Sequence, residues 1–261
     1  MTLEIEDTFP GRTLPRWVRF ATGYGRLDYG PQSLRCITQG ARSSGLSDAQ
    51  ITDYRGVSSQ DWPWSPPVTL EVRARMSHPA ESLLGTAGFG FWNDPFTLGG
   101  RTTVAPNNVW FFFASPPSDM RLVAGVPGCG WKAAVLNGGD PPGWMIRLGE
   151  WVLHAPGLNR LAQQAARVQV HAAESLLNAV SLTDWHTYRL RWTKDEAQFW
   201  VDDREVLRAT NPPTVSLGFV AWIDNQWARF TPEGEFSFGL LDIPQEQWLE
   251  LDYVRINNDE R

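Results

Sequence analysis

The chain has 261 residues, 42% hydrophobic and 20% charged, with a formal net charge of −6. That composition supplies a sizeable core and excludes global disorder. The acidic balance, with no run of five or more Lys/Arg, argues against a nucleic-acid partner.

Short runs rich in aromatic and β-branched residues recur between Gly, Pro and Asn/Asp, the pattern of an all-β chain. In chain order the predicted strands are 17–24, 33–38, 49–54, 68–76, 86–92, 109–114, 131–136, 144–146, 185–193, 197–201, 205–210, 215–223, 234–241 and 248–256. The clearest pair lies in DWHTYRLRWTKDEAQFWVDDREVLR, 184–208. His186, Tyr188, Leu190 and Trp192 share one face of its first strand. After a polar turn, Ala197, Phe199 and Val201 alternate with Gln198, Trp200 and Asp202. Segments 93–108 and 115–143, rich in Gly and Pro, read as long ordered loops.

One segment departs from this pattern. Residues 158–180, LNRLAQQAARVQVHAAESLLNAV, are rich in good helix formers. Leu158, Leu161, Ala165, Val168, Ala172, Leu176 and Ala179 follow three-and-four spacing. The expectation is one inserted helix of about six turns, lying on the domain or serving as a lid or a homo-oligomer contact. His171 falls off the apolar stripe and faces solvent in this reading.

Several pieces together resemble the concanavalin A-like lectin/glucanase sandwiches, above all the family 16 glycoside hydrolases. They are Glu6-Asp7-Thr8-Phe9, Gly45–Met76, GTAGFGFWN at 85–93, the 184–208 hairpin and LELDYVRI at 249–256. The resemblance implies a single domain over 1–261: a jelly roll of two antiparallel sheets, with a groove on the concave face and the helix 158–180 inserted. Active members carry E-x-D-x-x-E or E-x-D-x-E on one concave strand. Retaining chemistry needs two carboxyl groups about 5–5.5 Å apart, and alternate residues of a strand share a face. The corresponding stretch here is NNVWFFFAS, 107–115. It places Asn108, Trp110 and Phe112 where the family keeps its carboxylates. An amide and two aromatic rings can bind a sugar ring. They cannot attack an anomeric carbon or protonate a leaving oxygen, so the family's usual hydrolysis is expected to be absent.

The resemblance adds Glu71, Arg73, Trp92, Trp131, Trp222 and Asp224 to the groove. For Glu71 and Arg73 the alternative is an exposed ion pair contributing little stability. For each of the 14 tryptophans the alternative is the sandwich core. The family also implies a structural calcium ion on the convex face, with Asp252 at the matching position and oxygen ligands throughout. No other cofactor is required.

Other chemistries find no support in the spacing. There is no H-x-x-x-H or C-x-x-C pair for zinc, and no G-x-G-x-x-G ahead of a helix. Cys36 and Cys129 are read as ordinary buried thiols; their spacing does not decide whether they pair. MTLEIEDTFPGR lacks the regions of a signal peptide, so a cytoplasmic protein is expected if Met1 is the natural start. The leading functional reading is a non-hydrolytic protein binding a carbohydrate in the groove. The alternatives are an enzyme of different chemistry, with Glu71 or Asp224 as acid or base for a more apolar substrate, an atypical glycoside hydrolase, and an assembly protein using the helix.

Overall fold

A computed structural model describes residues 4–54, 62–94, 106–139, 171–231 and 236–258. They form two large antiparallel sheets and a small third one. The strands, in chain order, are β1 (Glu4–Asp7), β2 (Val18–Thr22), β3 (Gly25–Gly30), β4 (Ser33–Thr38), β5 (Asp48–Thr52), β6 (Val68–Met76), β7 (Thr86–Trp92), β8 (Asn107–Ala114), β9 (Asp119–Met120) and β10 (Gly130–Asn137). They continue as β11 (His171–Leu176), β12 (His186–Trp192), β13 (Glu196–Val201), β14 (Arg204–Thr210), β15 (Gly218–Asp224), β16 (Gln226–Phe230), β17 (Phe236–Leu240) and β18 (Gln247–Asn258). One sheet runs β14-β13-β12-β6-β18-β4-β3, with β1 added to the far half of β18. The other runs β11-β10-β8-β7-β15-β5-β2, and β17-β16-β9 forms the small sheet.

Period-two patterning sets the faces. On β6, Val68, Leu70, Val72, Ala74 and Met76 are buried while the residues between them are half-buried. Tyr188, Leu190 and Trp192 of β12 and Ala197, Phe199 and Val201 of β13 join the same core. The seven-stranded sheet answers with Ala87, Phe89 and Phe91, Val109, Phe111 and Phe113, Trp131, Ala133 and Val135, and Phe219, Ala221 and Ile223. Aromatic rings from both sheets thus interleave with aliphatic side chains in the inter-sheet layer, which accounts for many of the bulky residues in the sequence.

The described residues contain no helix, which corrects the expectation for 158–180 where it can be compared. Residues 158–170 lie outside the described residues. His171–Leu176 is a strand, β11, pairing with β10 from Lys132↔Leu176 to Asn137↔His171. The open edge of β10 offers N–H and C=O partners, and that outweighs the helix preference of an Ala-rich segment. His171 is exposed, but from a strand. The expected strand 144–146 lies outside the described residues, as do 95–105 of the expected loop 93–108 and 140–143 of the expected loop 115–143. Strands β1, β3, β9 and β16 were not expected. No helix among the described residues is long and apolar enough to cross a membrane. Cys36 is buried and Cys129 half-buried, and both are free thiols.

Asp53, just past β5, accepts hydrogen bonds from the Trp64 indole N–H and the Phe219 backbone N–H. Burial pushes its carboxyl up to about 6, above the ordinary 3.8. The folded state thus holds a proton that the unfolded state has already released between those values. The Asp53 contribution to stability therefore falls as pH rises from about 4 to about 6, by roughly 3 kcal/mol for a shift of about two units. Thermal melts of the native protein and Asp53→Asn should show a Tm gap that changes across this window. A pH-independent gap removes Asp53 as its source.

Candidate functional site

The outer face of the seven-stranded sheet carries a second aromatic layer. Because Val109, Phe111 and Phe113 face the core, Asn108, Trp110, Phe112 and Ala114 face outward from β8. All eight positions of β8 are buried. Trp110 and Phe112 cluster with Tyr54, Ala114, Ala134, Val220 and Trp222, and Trp62, Trp92, Met120 and Leu122 close over the rim. Trp92 and Trp222 lie parallel at 6.4 Å between ring centroids. Trp110 stands 5.2 Å from Trp222, 5.9 Å from Trp92 and 5.6 Å from Phe112.

Two glycines of GTAGFGFWN make this layer possible. Gly88 pairs with Trp222 and Phe112, and Gly90 with Trp110. A Cβ at Gly88 would stand 2.9 Å from the Trp222 ring and 2.3 Å from the Phe111 carbonyl oxygen. At Gly90 it would meet Trp110 Cβ at 2.5 Å. Indoles from the flanking strands occupy the space these glycines leave. Gly88→Ala should cost about 1–3 kcal/mol, the range of overpacking, read by urea denaturation; an unchanged midpoint would show that Trp222 does not need the gap.

The indole N–H of Trp222 donates to Thr86 Oγ1 at 2.9 Å, and that of Trp92 to Tyr54 Oη at 2.6 Å. Trp110 Nε1 and Asn108 Oδ1 are buried and have no hydrogen-bond partner among the described residues. The two residues are 9% and 6% exposed. One is a donor, the other an acceptor, two residues apart on one strand face.

Carboxylates on this face lie away from β8. Asp48 and Asp224 are register partners on β5 and β15, so their Cβ atoms stand about 4.5–5.5 Å apart. Asp224 Oδ1 accepts from Thr86 N, Thr86 Oγ1 and Gln226 N, and Oδ2 from Gln226 Nε2 at 2.7 Å. Burial raises its pKa against those donors. At the other end of the sheet, Lys132 Nζ meets Glu174 Oε2 at 2.9 Å, with both side chains fully buried. Glu174 Oε1 also accepts from Leu122 N and Val123 N, and Lys132 Nζ donates to the Met120 carbonyl. This charged clamp holds Met120–Val123 over the aromatic layer.

The structure brings together six of the nine residues expected in the groove: Trp92, Asn108, Trp110, Phe112, Trp222 and Asp224. Glu71 and Arg73 are placed elsewhere, on the outer face of the opposite sheet. There Glu71 accepts from Tyr253 Oη at 2.9 Å, and Arg73 pairs with Asp252 at 2.6 Å. Trp131 points into the inter-sheet core against Phe89, Phe111 and Tyr188. Its one-residue offset from Lys132 exchanges the two faces. Asp252 sits at a register shift of β18 with the Arg73 guanidinium on its carboxylate. A cation would compete with that guanidinium for the same oxygens, so this arrangement does not fit calcium. Among the described residues no group of three or more His, Cys, Asp or Glu could hold a metal ion. Sequence reading passed over Tyr54, Trp62, Gly88, Gly90, Lys132 and Glu174. Only the alternate glycines carried a local signal.

No family model matches the chain. A β-1,3-glucan-binding protein of Penaeus monodon is 33% identical over 82 residues, 29% of this chain and 22% of that protein. The match thus spans about a fifth of that relative's length. A β-1,3-1,4-glucanase (lichenase) from a mouse hindgut metagenome superposes with a TM-score of 0.54 at 13% identity, covering 97% of this chain and 98% of its own. The κ-carrageenase of Pseudoalteromonas carrageenovora gives 0.54 at 12% identity, with 98% and 96% covered. The likeness at these identities is one of fold: the chain is a jelly-roll sandwich of two large antiparallel sheets, as these glucanase and carrageenase structures are.

Proposed function

We propose that this protein binds a carbohydrate on the aromatic outer face of the seven-stranded sheet and does not hydrolyse it. The observation that carries this reading is the pair of Trp110 Nε1 and Asn108 Oδ1, buried and without a partner among the described residues, beside stacked indoles. Buried polar atoms are normally hydrogen-bonded, and each exception asks for a partner. A sugar hydroxyl both donates and accepts, and its ring offers an apolar face to indoles. The outward positions of β8 hold no carboxylate, so the strand itself supplies neither nucleophile nor acid. The partial match to a glucan-binding protein agrees with a β-glucan ligand.

Titration calorimetry with laminarin, a β-1,3-glucan, tests this. Trp110→Phe keeps an aromatic ring and removes the N–H. It should weaken binding about 5- to 30-fold, the equivalent of one hydrogen bond of about 1–2 kcal/mol, and leave the fold intact. Absence of laminarin binding, or equal affinity in the variant, sinks the reading.

The register pairing of Asp48 with Asp224 favours a second reading, an atypical hydrolase. Neighbours in register, they can bring two carboxyl groups to the few ångströms that a retaining mechanism needs. Against it, Asp224 already accepts four hydrogen bonds, which leaves it little freedom to attack or protonate a substrate. Release of reducing ends from laminarin, abolished in Asp224→Asn, would decide for the second reading.

A further inference from the structure

A separate cavity lies at the open edge of the sandwich, where β2 ends one sheet and β3 ends the other. It offers about 300 Å³ and is lined by Gly11, Arg12, Thr13, Leu14, Pro15, Trp17, Arg19 and Tyr29. We propose that it binds an oxyanion carried on a small saccharide, a carboxylate or a sulfate ester, gripped by Arg12 and Arg19.

The local chain builds the walls. Asp7 is buried and accepts from Phe9 N, Leu14 N and Trp17 Nε1 at 2.8–2.9 Å. Those three bonds tie residues 9–17 into a fixed wall. Gly11 turns that wall at φ 71°, in the left-handed region that suits glycine. Arg19 is in register with core-facing Ile51. It therefore points between the sheets, but beyond their last strand, where water reaches it. Tyr29 approaches from β3 of the other sheet, packed on the core by its ring.

The lining is rich in hydrogen-bond donors. Arg12 and Arg19 bring guanidinium groups, whose planar forks match carboxylate and sulfate oxygens. Thr13 and Tyr29 bring hydroxyls. Their mutual contact is long, 3.4 Å, as is that from Arg19 Nη1 to Tyr29 Oη, so both are free to turn to a better partner. Neither Arg12 nor Arg19 has a carboxylate partner among the described residues. Several arginines elsewhere are held by carboxylates: Arg26 by Glu246, Arg35 and Arg75 by Glu250, Arg73 by Asp252, Arg208 by Glu205, Arg255 by Glu6. On a chain of net charge −6, two guanidiniums without a carboxylate partner among the described residues line this one cavity. Asp7, the carboxylate behind the wall, is committed to its three N–H donors. Leu14 and Pro15, both exposed, supply the apolar surface on which a sugar ring can rest.

The test is calorimetry on the full chain at low salt with four ligands: glucuronate, glucose 6-sulfate, inorganic sulfate and glucose. Both charged sugars should bind, and glucose should bind at least tenfold more weakly. Arg12→Gln/Arg19→Gln should lose at least tenfold for the charged sugars, and so should the native protein at high salt, since exposed charges are screened. Arg208→Gln, paired on the other sheet, should change nothing. Inorganic sulfate binding as tightly as the sulfated sugar would support the oxyanion site and assign the free ion as its source. Charged sugars that bind no better than glucose, or equally well to the double variant, overturn the proposal. The site is independent of the aromatic face: the double variant should keep native laminarin binding, and Trp110→Phe should keep native glucuronate binding.

Discussion

Lys132→Met should lower stability by about 3–5 kcal/mol, the usual consequence of leaving one member of a buried ion pair without its partner. Glu174 and Lys132 are both fully buried, and the ammonium lies 5.8 Å from the Phe112 ring. With Lys132 gone, the Glu174 carboxylate keeps, among the described residues, the Leu122 and Val123 N–H groups. Its response is to swing out toward water, which releases the 120–123 strap from the aromatic layer. For a chain of this size the loss corresponds to roughly 10 °C in Tm. Lys132→Met/Glu174→Gln should recover part of it, because a neutral amide oxygen can still accept from both backbone N–H groups. Guanidinium denaturation of the three proteins reads the effect. A single variant losing under about 1 kcal/mol would show that the pair is solvated, since exposed pairs contribute only that much.

This pair also marks where sequence reading stopped. The hairpin 184–208 was legible because both of its strands are half-buried, so hydrophobic residues alternate cleanly and the faces could be assigned residue by residue. The strand β10 has buried residues on both faces, from Trp131 to Leu136. There alternation vanishes, and the larger ring was assigned to the groove while the charge was ignored. In fact Trp131 fills the core and Lys132 faces outward, made tolerable by Glu174 some 40 residues on. Nothing local in HAAESL announces a strand; its Ala-rich composition favours a helix until the edge of β10 and the Lys132 charge are supplied. Glu71 and Arg73 show the opposite case. Their alternation on β6 was read correctly, but period two gives a face without saying which sheet owns it. Topology, not pattern, puts them on the far side of the sandwich. The Asp48–Asp224 pairing was invisible for the same reason, being a contact across 176 residues of chain made only by strand register.

Phe111→Ala and Phe112→Ala separate the two aromatic layers, since the residues are neighbours in sequence and face opposite ways from β8. Phe111 lies within 5.1–6.2 Å of the rings of Tyr188, Phe199, Phe89 and Trp131. Both sheets contribute to that ring cluster, so the cavity left by Phe111→Ala has rigid walls on two sides. The expected loss is about 3–5 kcal/mol, the range for a buried Phe reduced to Ala. Phe112 is equally buried, but its cover is the 120–123 strap and the Trp110 ring rather than a second sheet. That cover can settle into the gap, so Phe112→Ala should lose less, because the cost depends on how far a site collapses. Its effect should appear in laminarin affinity, since a collapsed strap shifts Trp110 and with it the unpaired N–H. Urea denaturation ranks the two losses, and calorimetry assigns the binding defect. Equal losses of stability, or a binding defect confined to Phe111→Ala, would mean that the outer layer is a second rigid core and not a ligand face.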